Sequence, residues 1–208
     1  MSELVHAVVE PLLSPSESRN VAAVPLAVDL EDIRQIRDGD SEAYRRLIER
    51  YQRQIGQILW RFSRDSRIHE ELVQDVFVEA YLSLDRYLGK APFVHWLSRI
   101  ATRVGYGYWK QVARQKKREN FSLQEWDQLP DDSVERMDPS QAAELMHRLL
   151  GKLPPRDRLV LTLRYLEECD VAETVQRTGW TKSMVKVQTW RARNKLRNLF
   201  KQSGRDIK

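Results

Sequence analysis

The chain has 208 residues and a formal net charge of +5, with 31% charged and 41% hydrophobic residues. That balance excludes a wholly disordered chain, and no apolar stretch approaches the roughly 20 residues needed to span a bilayer as a helix. Eight glycines, eight prolines and no valine-rich alternation favour helices over sheets. A single cysteine, Cys169, with four scattered histidines supplies neither an internal disulfide nor a zinc site.

Residues 1–28 contain Pro11, Ser14, Pro15, Ser16, Ser18 and Pro25 and lack the basic start of a signal peptide. They read as a flexible N-terminal extension of a cytoplasmic protein, with Cys169 a half-buried thiol in a reducing cytosol. Helical periodicity begins near Asp29, with Ile33 and Ile36, and resumes with Ala43, Tyr44, Leu47, Ile48 and Tyr51. Gly39-Asp40-Ser41 between them reads as a helix stop followed by a cap. The second helix continues to Phe62, and polar Ser63 to Arg67 makes a turn. A third helix is expected from His69 to Tyr87, its inward stripe being Leu72, Val76, Ala80 and Leu84. Gly89-Lys90-Ala91-Pro92 is a loop by composition. The fourth helix carries Phe93, Trp96, Leu97, Ile100 and Ala101 and runs towards Arg118.

Residues 119–140 hold seven acidic residues against one basic, with Pro130 and Pro139 and no sustained period, as expected of a linker. The second half is expected to hold helices over Gln141 to Leu150, Arg156 to Glu167, Val171 to Thr178 and Lys182 to Phe200. Lys152-Leu153-Pro154-Pro155 breaks the first two. The architecture is therefore all-α: four helices, an acidic tether, and about four more.

Two stretches concentrate positive charge. From Arg99 to Arg118 there are seven basic residues and no acidic one, with Trp96, Tyr106, Tyr108 and Trp109 in or just before the segment. Cations that neutralise phosphates, interleaved with rings on which bases stack, suit a helix that handles partly opened DNA. The alternative is a solvated basic face with core aromatics, Trp96 among them; such a face usually mixes signs, and this one does not. Lys182 to Lys201 again has seven basic residues and no acid. Before it, Val175-Gln176-Arg177-Thr178-Gly179-Trp180-Thr181 has helix-turn-helix spacing, with Gly179 at the turn and Thr181 as the cap. Val185, Ala192, Leu196 and Leu199 form the inward stripe of the last helix. Ser183, Lys186, Val187, Trp190 and Asn194 fall opposite it, flanked by Arg191, as in a helix that enters a major groove.

With these pieces in place the chain resembles the extracytoplasmic-function sigma factors, the minimal two-domain bacterial type, over roughly Asp29 to Lys201. Three segments carry the resemblance: Glu71-Leu72-Val73-Gln74-Asp75-Val76-Phe77, Phe93-Val94-His95-Trp96-Leu97-Ser98-Arg99-Ile100-Ala101, and Val185-Lys186 with Arg191-Ala192-Arg193-Asn194-Lys195-Leu196. It implies that Leu72, Val73, Gln74, Asp75 and Phe77 dock core RNA polymerase, with Leu72 and Val76 in the core and Gln74 and Asp75 facing outwards. It implies that the loop Asp85 to Ala91 captures a flipped base of the promoter −10 element, with Tyr87, Lys90, Trp96, Arg99, Arg103 and Lys110 as DNA contacts. Ser183, Lys186, Val187, Trp190 and Arg191 would read the −35 element. The domains are then residues 29–118 as sigma region 2, 119–140 as the linker and 141–203 as sigma region 4. Promoter DNA and an anti-sigma factor are the further partners implied, with no cofactor, no metal and no membrane insertion. Arg103 stands where the family has Asn, Gly107 where it has a polar residue, and Thr174 and Thr178 where it has apolar ones.

Other functions explain less. A stand-alone helix-turn-helix regulator accounts for Lys182 to Lys201 but not for the Glu71 to Phe77 helix. An adaptor with basic helices for acidic protein surfaces needs no aromatics among its cations. An enzyme is not expected, since there is no glycine-rich phosphate loop, metal-ligand cluster or nucleophile motif.

Overall fold

The computed structural model describes residues 26–119 and 139–203, which contain eight α-helices and no strand. The helices are α1 (Leu26–Arg37), α2 (Ser41–Leu59), α3 (Ser66–Leu82), α4 (Phe93–Glu119), α5 (Pro139–Gly151), α6 (Pro155–Leu161), α7 (Val171–Thr178) and α8 (Lys182–Ser203). The N-terminal extension and most of the expected linker lie outside the described residues. The chain divides into two compact units, with one boundary inside α4 after Trp109 and with residues 176–179 grouped with the first of them.

In the N-terminal unit the periodic residues do what their spacing requires. Ala43, Leu47, Tyr51, Ile55, Ile58 and Leu59 bury one face of α2, and Leu72, Val76 and Ala80 bury one face of α3. Asp40 begins α2 as expected, its carboxylate accepting the Glu42 amide at 2.9 Å. Asp65 caps α3 in the same way through the Ile68 amide at 3.0 Å. The third helix ends earlier than its stripe suggested. The Ser83 hydroxyl donates back to the Glu79 carbonyl at 2.6 Å, and the chain tightens into a 3₁₀ turn over Leu84–Arg86. Leu84 remains buried, so the stripe continues although the α-helix does not.

One polar layer was not expected. Asp29 and Asp32 of α1 are 1% and 5% exposed, and both face α2. Arg50 donates to Asp29 at 2.7 Å and to Asp32 at 2.8 Å, Arg46 donates to Asp32 at 2.9 Å, and the Tyr51 hydroxyl donates to Asp29 at 2.6 Å. Burial, followed by the adjacent Asp29 carboxylate, raises the Tyr51 phenol well above its usual range, which keeps it a donor.

Gly105 and Gly107 lie in the same helix and differ in kind. A Cβ at Gly105 would stand 2.4 Å from the ring of Phe62, which is buried and stacks on Trp109 at 4.4 Å between centroids. The Trp109 indole donates to the Phe62 carbonyl at 2.8 Å, so the ring has little room to retreat. Gly105 is thus a packing requirement, whereas a Cβ at Gly107 meets nothing within 4 Å. Gly105→Ala is expected to destabilise the protein by about 1–3 kcal/mol, as overpacking does. Gly107→Ala is expected to stabilise it by up to about 1 kcal/mol through helix propensity. Thermal denaturation of the two variants should show opposite signs; equal signs would remove the distinction.

In the C-terminal unit, Leu150, Leu153, Val160, Leu161, Val185 and Ala192 form the core, and Leu196 and Leu199 pack against it from the same stripe of α8. Pro155 opens α6, where its missing amide costs nothing. The expected helix to Glu167 changes pitch instead, continuing as a π turn over Thr162–Leu166 that the Glu167 amide closes onto the Thr162 carbonyl at 2.9 Å. Asp157, 2% exposed, accepts from Gln188 and, at 2.6 Å, from Lys195, which fastens α6 to α8. Cys169 is fully buried at 2% exposure rather than half-exposed.

Candidate polymerase and nucleic-acid interfaces

The α3 segment expected to dock a partner is split by its own helix geometry. Leu72 and Phe77, placed in the docking set from sequence, are 5% and 7% exposed and belong to the core. Val73 is half-buried, while Gln74 and Asp75 are exposed, as expected from their side of the helix. Among the described residues Asp75 forms no hydrogen bond or ion pair. Val73 and Gln74 border an open groove of about 1280 Å³ between α2 and α3. Its exposed apolar rim, Trp60, Val78, Tyr81 and Leu82, was missed from sequence. The signal was available: α3 carries more apolar residues than one buried stripe can use, and the surplus falls on the groove.

The loop between α3 and α4 is held from several directions. Arg37 of α1 donates to the carbonyls of Leu84 and Tyr87 at 3.3 and 3.1 Å. The Tyr87 ring packs edge-on against Phe93 at 5.3 Å and tilted against Trp96 at 5.5 Å, and its hydroxyl donates to the Ala91 carbonyl at 2.5 Å. At 5% exposure Tyr87 positions the loop and is not itself a contact surface. Burial raises its phenol above the usual range. Lys90 and Leu88 remain exposed at the loop's outer edge.

On α4, Trp96, Arg99, Arg103 and Lys110 recur at spacings of three, four and seven and therefore share one outward side. Arg99 and Lys110 are exposed, and Trp96 is half-buried against Phe93 and Tyr87. Arg103 is tied to Glu79 of α3 at 2.5 Å, so its charge is partly committed to holding α4. Trp109, one of the rings read as available for stacking, is 4% exposed and inside the core.

In the C-terminal unit the helix-turn-helix is built as its spacing predicts. Asp170 and Glu173 cap α7 reciprocally, each carboxylate accepting the other's backbone amide at 2.7 Å. Thr174, where an apolar residue was the norm, is fully buried with its hydroxyl satisfied by the Asp170 carbonyl at 2.7 Å. Gly179 takes the turn at φ +72°, a conformation that glycine adopts without a Cβ penalty. Thr181 caps α8 through the Met184 amide at 3.2 Å. Val185 and Ala192 are fully buried, so Ser183, Lys186, Val187, Trp190 and Arg191 are exposed on the far side. Among the described residues neither Lys186 nor Arg191 forms a hydrogen bond or ion pair. Their charge is uncommitted, unlike that of Lys195.

The model for sigma-70 region 2 matches residues 47–115, and that for sigma-70 region 4 matches residues 143–196. The ECF RNA polymerase sigma factor SigW of Bacillus subtilis is 27% identical over 177 residues, covering 79% of this chain and 92% of that protein. The ECF RNA polymerase sigma-E factor of Haemophilus influenzae is 24% identical over 174 residues, covering 80% and 92%. Among solved structures, CnrH in complex with the cytosolic domain of CnrY matches with a TM-score of 0.54 at 23% identity, covering 84% of this chain and 98% of CnrH. The sigma factor RpoE of Bartonella quintana, in complex with the anti-sigma factor NepR, matches with a TM-score of 0.52 at 18% identity, covering 76% and 96%. These two structures share the fold. Two sigma-70 region models matched in chain order, with relatives aligned over nearly their whole length, make this chain a member of the ECF RNA polymerase sigma factors.

Proposed function

We propose that this chain binds core RNA polymerase and directs it to promoters, doing no covalent chemistry itself. Residues 29–118 act as the polymerase-docking and −10 domain, 119–140 as the linker and 141–203 as the −35 domain. Gln74 and Asp75, beside the α2/α3 groove, face polymerase. Lys90, Trp96, Arg99 and Lys110 face the −10 DNA, with Tyr87 and Arg103 positioning them. Ser183, Lys186, Val187, Trp190 and Arg191 face the −35 duplex. The observation that carries this reading is the pairing, in one chain, of a docking helix with surplus apolar surface and a capped recognition helix with uncommitted cations. CnrH and RpoE were solved with CnrY and an anti-sigma factor, and by that likeness an anti-sigma factor holds this chain too. No helix among the described residues is long and apolar enough to cross a membrane. The work is that of a cytoplasmic protein.

Run-off transcription with bacterial core polymerase and a promoter library tests the reading. Discrete transcripts that require the chain are expected. If the chain binds a duplex sequence but neither associates with polymerase nor yields transcripts, it is a stand-alone regulator.

A further inference from the structure

The exposed face of α8 is not uniformly polar. Met184, Val187 and Trp190, at i, i+3 and i+6, are 39%, 48% and 66% exposed. Leaving three large apolar side chains in water on a helix with an adequate inward stripe calls for an apolar partner. The neighbours define which one. Val187 has Arg191 one turn further along, and Trp190 has Lys186 one turn before it. Val187 and Trp190 are thus each paired, about 6 Å along the helix, with a cation that has no partner among the described residues. An acidic protein surface would engage the cations and leave the ridge uncovered. The major groove offers both chemistries at this spacing: guanine presents O6 and N7 to a cation, and thymine presents its C5 methyl to an apolar side chain.

We propose that Val187, flanked by Met184 and Trp190, reads thymine methyls, so that the −35 element of this protein carries thymine within about two base pairs of a guanine contacted by Arg191 or Lys186. The proposal rests on the reading of α8 as the −35 recognition helix and adds a base preference to it. Ser183, at the start of the same face, is short and hydroxylic, suited to a phosphate rather than a base edge. Val187 is opposite the buried Val185 and Ala192, so its replacement leaves the core untouched.

The full chain, bound to core polymerase, is used to select its preferred upstream element from randomised duplexes. Each thymine of that element is then replaced in turn by deoxyuridine, which pairs identically and lacks only the methyl. Fluorescence anisotropy should show about fourfold weaker binding at the ridge-facing thymine, the effect of about one buried methyl group. Val187→Ala should bind the thymine and deoxyuridine duplexes within twofold of each other, because the contact is gone. Equal binding of both duplexes by the native chain overturns the proposal, as does a selected element without thymine or a Val187→Ala chain that keeps the full discrimination. Lys186→Ala separates this failure from a failure of the −35 reading. If Lys186→Ala flattens the preference while deoxyuridine has no effect, α8 still reads sequence and the ridge does not. If no sequence is selected at all, both fail.

Discussion

Replacing Asp29 by alanine is expected to destabilise the N-terminal unit by about 3–5 kcal/mol, a large share of the roughly 5–15 kcal/mol that holds an ordinary domain together. The carboxylate is 1% exposed and accepts from both Arg50 and Tyr51. Alanine there removes a buried charge, leaves the Tyr51 hydroxyl without its acceptor and opens a small void between α1 and α2. Arg50 keeps Asp32 at 2.8 Å and is 20% exposed, which places the loss towards the lower end of that range. The intact layer need not be a strong net stabiliser, because desolvating its charges offsets most of their attraction. Removing one member exposes that cost. Native-state hydrogen exchange of α1 and α2 amides reads this unit directly. A loss below about 1 kcal/mol would mean that the layer is incidental.

This layer also shows where the sequence was hard to read. Asp29 precedes Ile33 by one helical turn and so belongs to the same inward face. Hydropathy treats a carboxylate at such a position as the edge of the pattern, and the first helix was accordingly expected to begin there rather than at Leu26. The compensating cations, Arg46 and Arg50, lie one turn apart on the next helix, and only their pairing with Asp29 and Asp32 explains all four. Periodicity sees one helix at a time. Elements defined by apolar spacing and caps were legible for the same reason: α2 with Asp40, α7 to Thr178, and the turn at Gly179 are local facts. The end of α3 was not: the Ser83 back-bond is local but leaves no mark in the apolar spacing, and the grip of Arg37 on Leu84 and Tyr87 comes from a distant helix.

The candidate sites divide along the same line. On α8 the inward stripe is unambiguous, so the opposite face follows, and Lys186, Val187, Trp190 and Arg191 are all exposed. On α3 and in the loop, motif likeness named contiguous residues, and a helix cannot present contiguous residues on one side. Leu72, Phe77 and Tyr87 are the ones that burial reassigns to scaffolding. Charge counting has its own blind spot. Arg103 and Lys195 entered the basic totals equally with Arg99 and Lys186, yet the first two are paired within the fold.

The uncommitted carboxylate of Asp75 gives the docking proposal its sharpest test. Asp75 is exposed, has no partner among the described residues and lies away from the buried stripe of Leu72, Val76 and Ala80. Reversing its charge should change stability by no more than about 0.5 kcal/mol, as surface substitutions do. At a polymerase interface the same reversal meets a partner surface arranged for the opposite sign, and a loss of about 2–5 kcal/mol, at least thirtyfold in affinity, is expected. Leu72→Ala supplies the contrast: it should destabilise the unit by about 2–5 kcal/mol through a core cavity and weaken binding only as far as it unfolds the helix. Pull-down with core polymerase beside circular dichroism separates the two effects. Asp75→Arg should keep the native spectrum and lose the polymerase. If Asp75→Arg binds as the native chain does, the Gln74 and Asp75 face is not the docking surface, and the polymerase engages α3 through the apolar rim of the groove, Val78, Tyr81 and Leu82.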